Sequence, residues 1–217
     1  MDGKNIGTII LIGIVCFCVG YFAIYLFQQQ ATTGPTNEIN DLNETITSLN
    51  ADLENNKEFN RYFFKARKGE INGAINEGCG RAYGEEGDYS FSIGSFGLAE
   101  IYYGHCMDYY KYAEDEYLTA KLYLEQAQNY ITDTKTSDYI DTCIELHQKS
   151  IELFTTNYNF FYDMQSASYY YNISSWDQGD IKLEEANSNI NQINSLVSDI
   201  NALLTEIDIS LGVSWKV

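Results

Sequence analysis

Proline is almost missing from this 217-residue chain, which has one, Pro35. Beyond it no residue deprives a helix of a backbone N–H, so long uninterrupted helices are permitted to the C-terminus. Basic residues are scarce too: 13 Lys and Arg face 31 Asp and Glu, a formal net charge of −18. That balance repels phosphate backbones and anionic headgroups, which excludes nucleic acid and leaves partners that are neutral, cationic or apolar at the contact. There is no H-E-x-x-H, no G-x-S-x-G, no G-x-x-x-x-G-K and no Glu-x-x-His pair. The expectation is a protein that is not an enzyme and needs no cofactor.

Histidine is limited to His105 and His147, which the predicted helices place roughly 27 Å apart along the axis. Cys143 and His147 stand four residues apart on one helical face, but no further ligand falls at their height, so no metal is expected. The acids Glu85, Glu86 and Asp88 lack the ordered spacing of a calcium loop. Outside the apolar N-terminus the cysteines are Cys79, Cys106 and Cys143. The predicted layout separates them by tens of Å, far beyond the roughly 7 Å between Cα atoms that a disulfide tolerates. Free thiols packed as small apolar groups are therefore expected. They favour a reducing environment, against the topology that follows.

What the chain does have begins with Ile6 to Phe27, a charge-free run of the length that crosses a bilayer as one helix. Lys4 precedes it and the next basic residue is Lys57, so the positive-inside rule favours a cytoplasmic N-terminus and an extracytoplasmic remainder. The run ends in Phe27-Gln28-Gln29-Gln30 without a small-residue cleavage site, as an uncleaved anchor would. Neither Cys16 nor Cys18 follows the small side chains of a lipoprotein signal. Within the run Gly13, Cys16, Gly20 and Ala23 form a stripe on which a second transmembrane helix can pack, implying a homo-oligomer through the membrane. Residues 28–36 read as a linker, 37–208 as a helical ectodomain, and 209–217 as a tail in which Trp215 and Lys216 return towards the bilayer.

The ectodomain reads as four helices. Ile39, Leu42, Ile46, Leu49 and Leu53 alternate steps of three and four, the coiled-coil spacing. Past Asn56 the seam shifts to Phe59, Phe63 and Ala66, then Ile71, Ile75 and Ala82. Gly69, Gly73, Gly78 and Gly80 weaken helix propensity there, so the helix is expected to end near Tyr83, with a loop from Gly69 as the alternative. In the second helix Ala99, Cys106, Ala113, Ala120 and Ala127 recur every seven residues, and Tyr103, Tyr110, Tyr117, Leu124 and Ile131 take the complementary position. A polar turn at 132–137 precedes a third helix with Ile140, Ile144, His147, Ile151, Phe154, Tyr158 and Phe161 on its stripe. The turn at 172–179 leads to a fourth, with Leu183, Ala186, Ile190, Ile193, Val197, Ile200, Leu204 and Ile207. Short turns between long helices predict an all-α, antiparallel up-down four-helix bundle.

Arg61, Lys65, Arg67 and Lys68 form the one basic cluster. A first turn near Gly87 folds them onto Asp108, Glu114 and Asp115, as a salt-bridged face or as a dock for an acidic partner. Asn43 and Asn172 head N-x-S/T sequons and are candidate glycosylation sites. The 19 tyrosines exceed what one core stripe buries. Tyr102, Tyr109, Tyr112, Tyr169, Tyr170 and Tyr171 are thus candidates for an aromatic surface towards a protein or a surface polymer. The expected function is a single-pass, non-enzymatic interaction or scaffold module. Two rivals are a ligand-sensing bundle, loosely similar to chemoreceptor sensor modules and acting through a membrane partner, and a filament subunit that polymerises through its N-terminal helix.

Overall fold

The computed structural model describes residues 36–210, with side chains from residue 41. Four helices account for them: α1, Thr36–Ser92; α2, Phe96–Gln128; α3, Thr134–Asn172; α4, Trp176–Ser210. No strand occurs among the described residues. The chain divides into two compact units, residues 1–53 and 54–217. In the first, the described residues are the N-terminal part of α1. In the second, the remaining three helices and the rest of α1 pack as a bundle.

The glycines that argued for a loop lie inside α1, which runs to Ser92. The fully buried positions of α1 among the described residues are Ala66, Gly69, Gly73, Gly80, Gly84, Gly87 and Ser90, all small. Opposite them stand the large residues of α2. A Cβ on Gly87 would lie 2.5 Å from the Tyr103 ring, one on Gly73 2.3 Å from Tyr117, and one on Gly80 3.3 Å from Tyr110. The paired numbers sum to 190 each time, so α1 and α2 run antiparallel in unbroken heptad register, tyrosine ring against glycine backbone. Burying such a ring contributes about 1.5–3 kcal/mol, whereas a glycine costs a helix about 1 kcal/mol. Packing therefore outweighs propensity, and the helix continues.

The same rings meet α3. Tyr103 lies 5.7 Å from Phe161, Tyr110 6.2 Å from Phe154 and Tyr117 5.4 Å from His147, centroid to centroid. Leu124 and Ile140 continue the series in the core near Ala66. The bundle is thus a stack of layers seven residues apart: Gly87–Tyr103–Phe161, Gly80–Tyr110–Phe154, Gly73–Tyr117–His147 and Ala66–Leu124–Ile140. Phe161 reaches past Tyr103 to Gly84, where a Cβ would stand 2.9 Å from its Cζ. The buried hydroxyls of α3 are satisfied within the helix: Ser150, Thr156 and Ser168 donate to the carbonyls of Leu146, Glu152 and Met164.

α4 follows α3 antiparallel, linked by Lys182–Asp163 and Lys149–Asp199 ion pairs at 3.7 and 3.5 Å. Its inward row differs in part from the expected one. Ala186 is buried as expected, and Leu196 and Leu203 join it, while Ile190, Val197 and Leu204 are 40–45% exposed. The apolar rows 190/197/204 and 196/203 flank the 186/193/200/207 row, and the pattern alone does not choose between them.

The first turn falls at Ile93-Gly94-Ser95, not near Gly87. Ser95 N–H donates to Ser90 O and Gly94 N–H to Phe91 O, at 2.8 and 3.0 Å, with Gly94 at φ 75°. This is the paired-bond helix stop that needs a left-handed residue. The turn at Ile173-Ser174-Ser175 repeats it bond for bond, with 2.8 and 3.0 Å contacts to Tyr170 O and Tyr171 O and Ser174 at φ 62°. Phe91, Phe96, Tyr171 and Trp176 interlock between the two turns, with centroids 5.1–6.1 Å apart. α3 starts at Asp133, whose carboxylate accepts from Thr136 N–H at 2.8 Å.

The glycines of α1 therefore divide by what faces them. A Cβ added to Gly78 would meet nothing within 4 Å, whereas Gly87 faces the fully buried Tyr103. Gly78→Ala should stabilise the fold by about 0.5–1 kcal/mol. Gly87→Ala should destabilise it by about 1–3 kcal/mol through overpacking. Urea unfolding of the two variants beside wild type checks both signs.

Candidate functional site

The layer arrangement puts a histidine where its neighbours carry phenylalanine. His147 stands between Ile140 and Phe154 on the inward column of α3 and is 1% exposed. Its Nδ1 hydrogen-bonds the carbonyl of Cys143. A carbonyl only accepts, so Nδ1 carries a proton. Nε2 lies 3.1 Å from Glu70 Oε1 on α1 but makes no hydrogen bond. Glu70 in turn takes a close ion pair from Arg67. Tyr117 covers the imidazole from α2. Burial pushes the neighbouring Cys143 thiol up, so it stays protonated, and raises Tyr139 to about 12.

This cluster ties α1 to α3 and has the make-up of a structural lock. The described residues contain no group of three His, Cys, Asp or Glu side chains that could hold a metal. A shallow hollow of about 520 Å³ lies between the start of α3 and the end of α4, lined by Lys135, Thr136, Asp138, Tyr139, Thr142, Glu206 and Ser210. His147 does not line it.

Two further buried contacts share one design. Tyr103 lies flat on Gly87 and its hydroxyl donates to the next residue, Asp88, at 2.8 Å. Tyr171 lies on Gly179 and donates to Asp180 at 2.5 Å. Desolvation raises Asp88, and burial raises Tyr103 and Tyr110 far above ordinary phenols. Tyr117 and Tyr171 are each pushed up to about 12, by burial first.

The outer groove of α1 and α2 carries two clusters of half-buried aromatics. Tyr83 of α1 stacks on Tyr109 at 5.5 Å and leans on Tyr102 at 6.4 Å, with His105 5.2 Å away. Twenty-one residues earlier on α1, Tyr62 repeats the motif, stacking on Tyr130 at 5.8 Å and leaning on Tyr123 at 6.3 Å. The helical rise puts the two triads about 31 Å apart. The lower triad carries cations: Arg61 lies 4.7 Å over Tyr62, and Lys65 lies 5.6 and 5.1 Å from Tyr62 and Tyr123. Tyr112 joins the upper triad through Tyr109, 6.1 Å away, and is 55% exposed.

Among the tyrosines named from sequence, then, Tyr102, Tyr109 and Tyr112 share one surface. Tyr169 is exposed and pairs with half-buried Tyr170 elsewhere. Tyr171 is not a surface residue: it is 8% exposed because the aromatic plug of the two turns and Gly179 enclose it. Tyr62, Tyr83, Tyr123 and Tyr130 were missed. The signal for Tyr123 and Tyr130 was the seven-residue row Tyr102, Tyr109, Tyr123, Tyr130 running beside the inward tyrosines.

The basic cluster does not reach Asp108, Glu114 or Asp115. The true turn lies beyond Gly87, so residues 61–68 face the far end of α2, and the pairs formed are local. Arg61 bonds Glu58 at 3.3 Å, and Arg67 bonds Glu70. Cys79, Cys106 and Cys143 are all free, although this register brings Cys79 and Cys106 nearer in height than the expected tens of Å. Asn43 and Asn172 are exposed. Gly13, Cys16, Gly20 and Ala23 lie outside the described residues. Comparison with known proteins finds no matching family model, curated protein or solved structure.

Two outcomes follow from the buried groups. Glu70→Ala should destabilise the fold by about 1 kcal/mol by removing the carboxylate 3.1 Å from Nε2 of His147, a buried nitrogen with no hydrogen bond of its own. Adding His147→Phe, which restores the phenylalanine column, should recover most of that loss in a denaturation-based double-mutant cycle. The buried phenols also set an alkaline limit. Unfolded tyrosine titrates near 10, and Tyr117, Tyr139 and Tyr171 titrate at about 12 when folded. Their contribution is complete below about pH 10 and is lost as the pH rises towards the folded values. Stability measured between pH 9 and 12 should fall, and Tyr117→Phe should lessen the slope.

Proposed function

We propose that this chain is a non-enzymatic interaction module, held to the membrane by Ile6–Phe27 and displaying its antiparallel bundle outside the cell to a protein or a surface polymer. The observation that carries this reading is the pair of tyrosine triads repeated along the outer α1/α2 groove. Half-buried, mutually stacked tyrosines offer a pre-ordered aromatic contact surface with hydroxyls that accept and donate, at little cost in side-chain entropy. The inward heptad row of α2 fills the core beneath them, and Tyr83 and Tyr123 pack one side against it. The described residues contain no helix long and apolar enough to cross a membrane, and the proposed span lies outside them.

The reading is tested on whole cells expressing the full chain. External protease should cleave the bundle, and a photo-reactive phenylalanine at Tyr112 should crosslink to a cell-surface component. Tyr109→Ser with Tyr112→Ser should abolish crosslinking from a probe at His105 while the helical circular dichroism of the bundle is retained, since Tyr112 is exposed and Tyr109 half-buried outside the core clusters. A bundle protected from external protease, or crosslinking that survives the double substitution, would sink this assignment.

A further inference from the structure

The first stretch of α1 carries an apolar seam of a different kind from the glycine seam further along. Ile46, Leu49 and Leu53 are 40, 50 and 59% exposed. With Ile39 and Leu42 they occupy consecutive a and d positions: Ile39, Ile46 and Leu53 at a, Leu42 and Leu49 at d. The positions between are polar or small, as Asn40, Asp41, Glu44, Thr47, Ser48, Ala51 and Glu54 show. β-Branched isoleucine at a with leucine at d is the combination that favours two parallel strands.

Charge selects the same partner and orientation. Asp52 falls at a g position and Lys57 at the following e position. In a parallel, in-register pair each Asp52 meets the other chain's Lys57, opposite in sign. An antiparallel pair would bring g to g, setting Asp52 against acidic or neutral residues such as Glu38 and Thr45. Lys57 is already held only by an exposed ion pair to Glu54, with both side chains about two-thirds exposed, and such a pair is cheaply exchanged. After Asn56 the row through Ile39, Ile46 and Leu53 stops, and the apolar residues move to Phe59 and Ala66, which serve the bundle core.

We propose that the Ile46–Leu49–Leu53 face of α1 docks against the same face of a second copy of this chain in a parallel two-stranded coiled coil. The interface is isologous and closes at two. It stands apart from the tyrosine groove and does not depend on the bundle's being an interaction module.

The test uses the full chain in detergent micelles with Cys16→Ser and Cys18→Ser. Under mild oxidation Leu49→Cys should form a covalent dimer, because d positions face each other across a parallel pair, while Ala51→Cys on the outer face should not exceed the parent background. Equal crosslinking at the two sites, or none at either, overturns the proposal. The crosslink should persist when Gly13→Leu and Gly20→Leu are added; its loss would mean that the membrane helices make the contact, and would equally overturn it. By sedimentation the parent should have the mass of two chains, and Ile46→Glu with Leu49→Glu that of one, with the helical circular dichroism and melting of the bundle retained. A monomeric parent, or a dimer that survives the double substitution, refutes the seam. Asp52→Lys should weaken the dimer and Lys57→Asp in the same chain should restore it, an outcome that a docked tail or an unrelated partner would not produce.

Discussion

The bundle depends on close approach of α1 and α2, which is possible because one helix gives up side chains where the other has its largest. Gly73, Gly80 and Gly87 are spaced by heptads, as are Tyr117, Tyr110 and Tyr103, and the two series meet ring to backbone. Each ring is then wide enough to touch α3 on its other side. The tyrosines thus fix three helices at once. Helix register, the place of the first turn and the depth of every inward residue follow from this fit.

The same fit decides what was legible in the sequence. The seven-residue alternation of Ala and Tyr in α2 announced its buried face, and Ala99, Tyr103, Cys106, Tyr110, Ala113, Ala120, Leu124 and Ala127 are all buried. The end of α1 was set too early because propensity is a property of the isolated helix, while the role of its glycines exists only opposite Tyr103, Tyr110 and Tyr117. Ending α1 near Tyr83 moved the turn by about one heptad, and every inference that used the reflection inherited the error, including the pairing of Arg61–Lys68 with Asp108. In α4 both flanking rows are apolar, so the choice between Leu196 and Val197 rests on the fit to α3, which a single-helix pattern does not contain.

The polar features were legible in part. His147 sat on the predicted stripe, but Glu70 did not attract notice, because nothing in the sequence shows that its place on the first helix faces His147. Once the true first turn sets the register of α1, Glu70 lies beside His147. The outer tyrosine groove was half visible: Tyr102, Tyr109 and Tyr112 stand out through the abundance of tyrosine, whereas Tyr62 and Tyr83 are recognisable only once antiparallel register places them against α2. Tyr171 fails as a surface residue for the converse reason, since the second turn folds Trp176 back over it.

Cys106 and Cys143 are buried, and burial raises both thiols above their ordinary range. Only the thiolate attacks a disulfide or is oxidised at an appreciable rate. Both sulfurs therefore meet oxidants slowly whatever the redox poise around the protein, and the packing that surrounds them does what a reducing compartment would otherwise do. Unpaired Cys106 and Cys143 are consequently no guide to the redox poise of the compartment the bundle occupies. Reagent access to these thiols reports instead how often the layers of the bundle part.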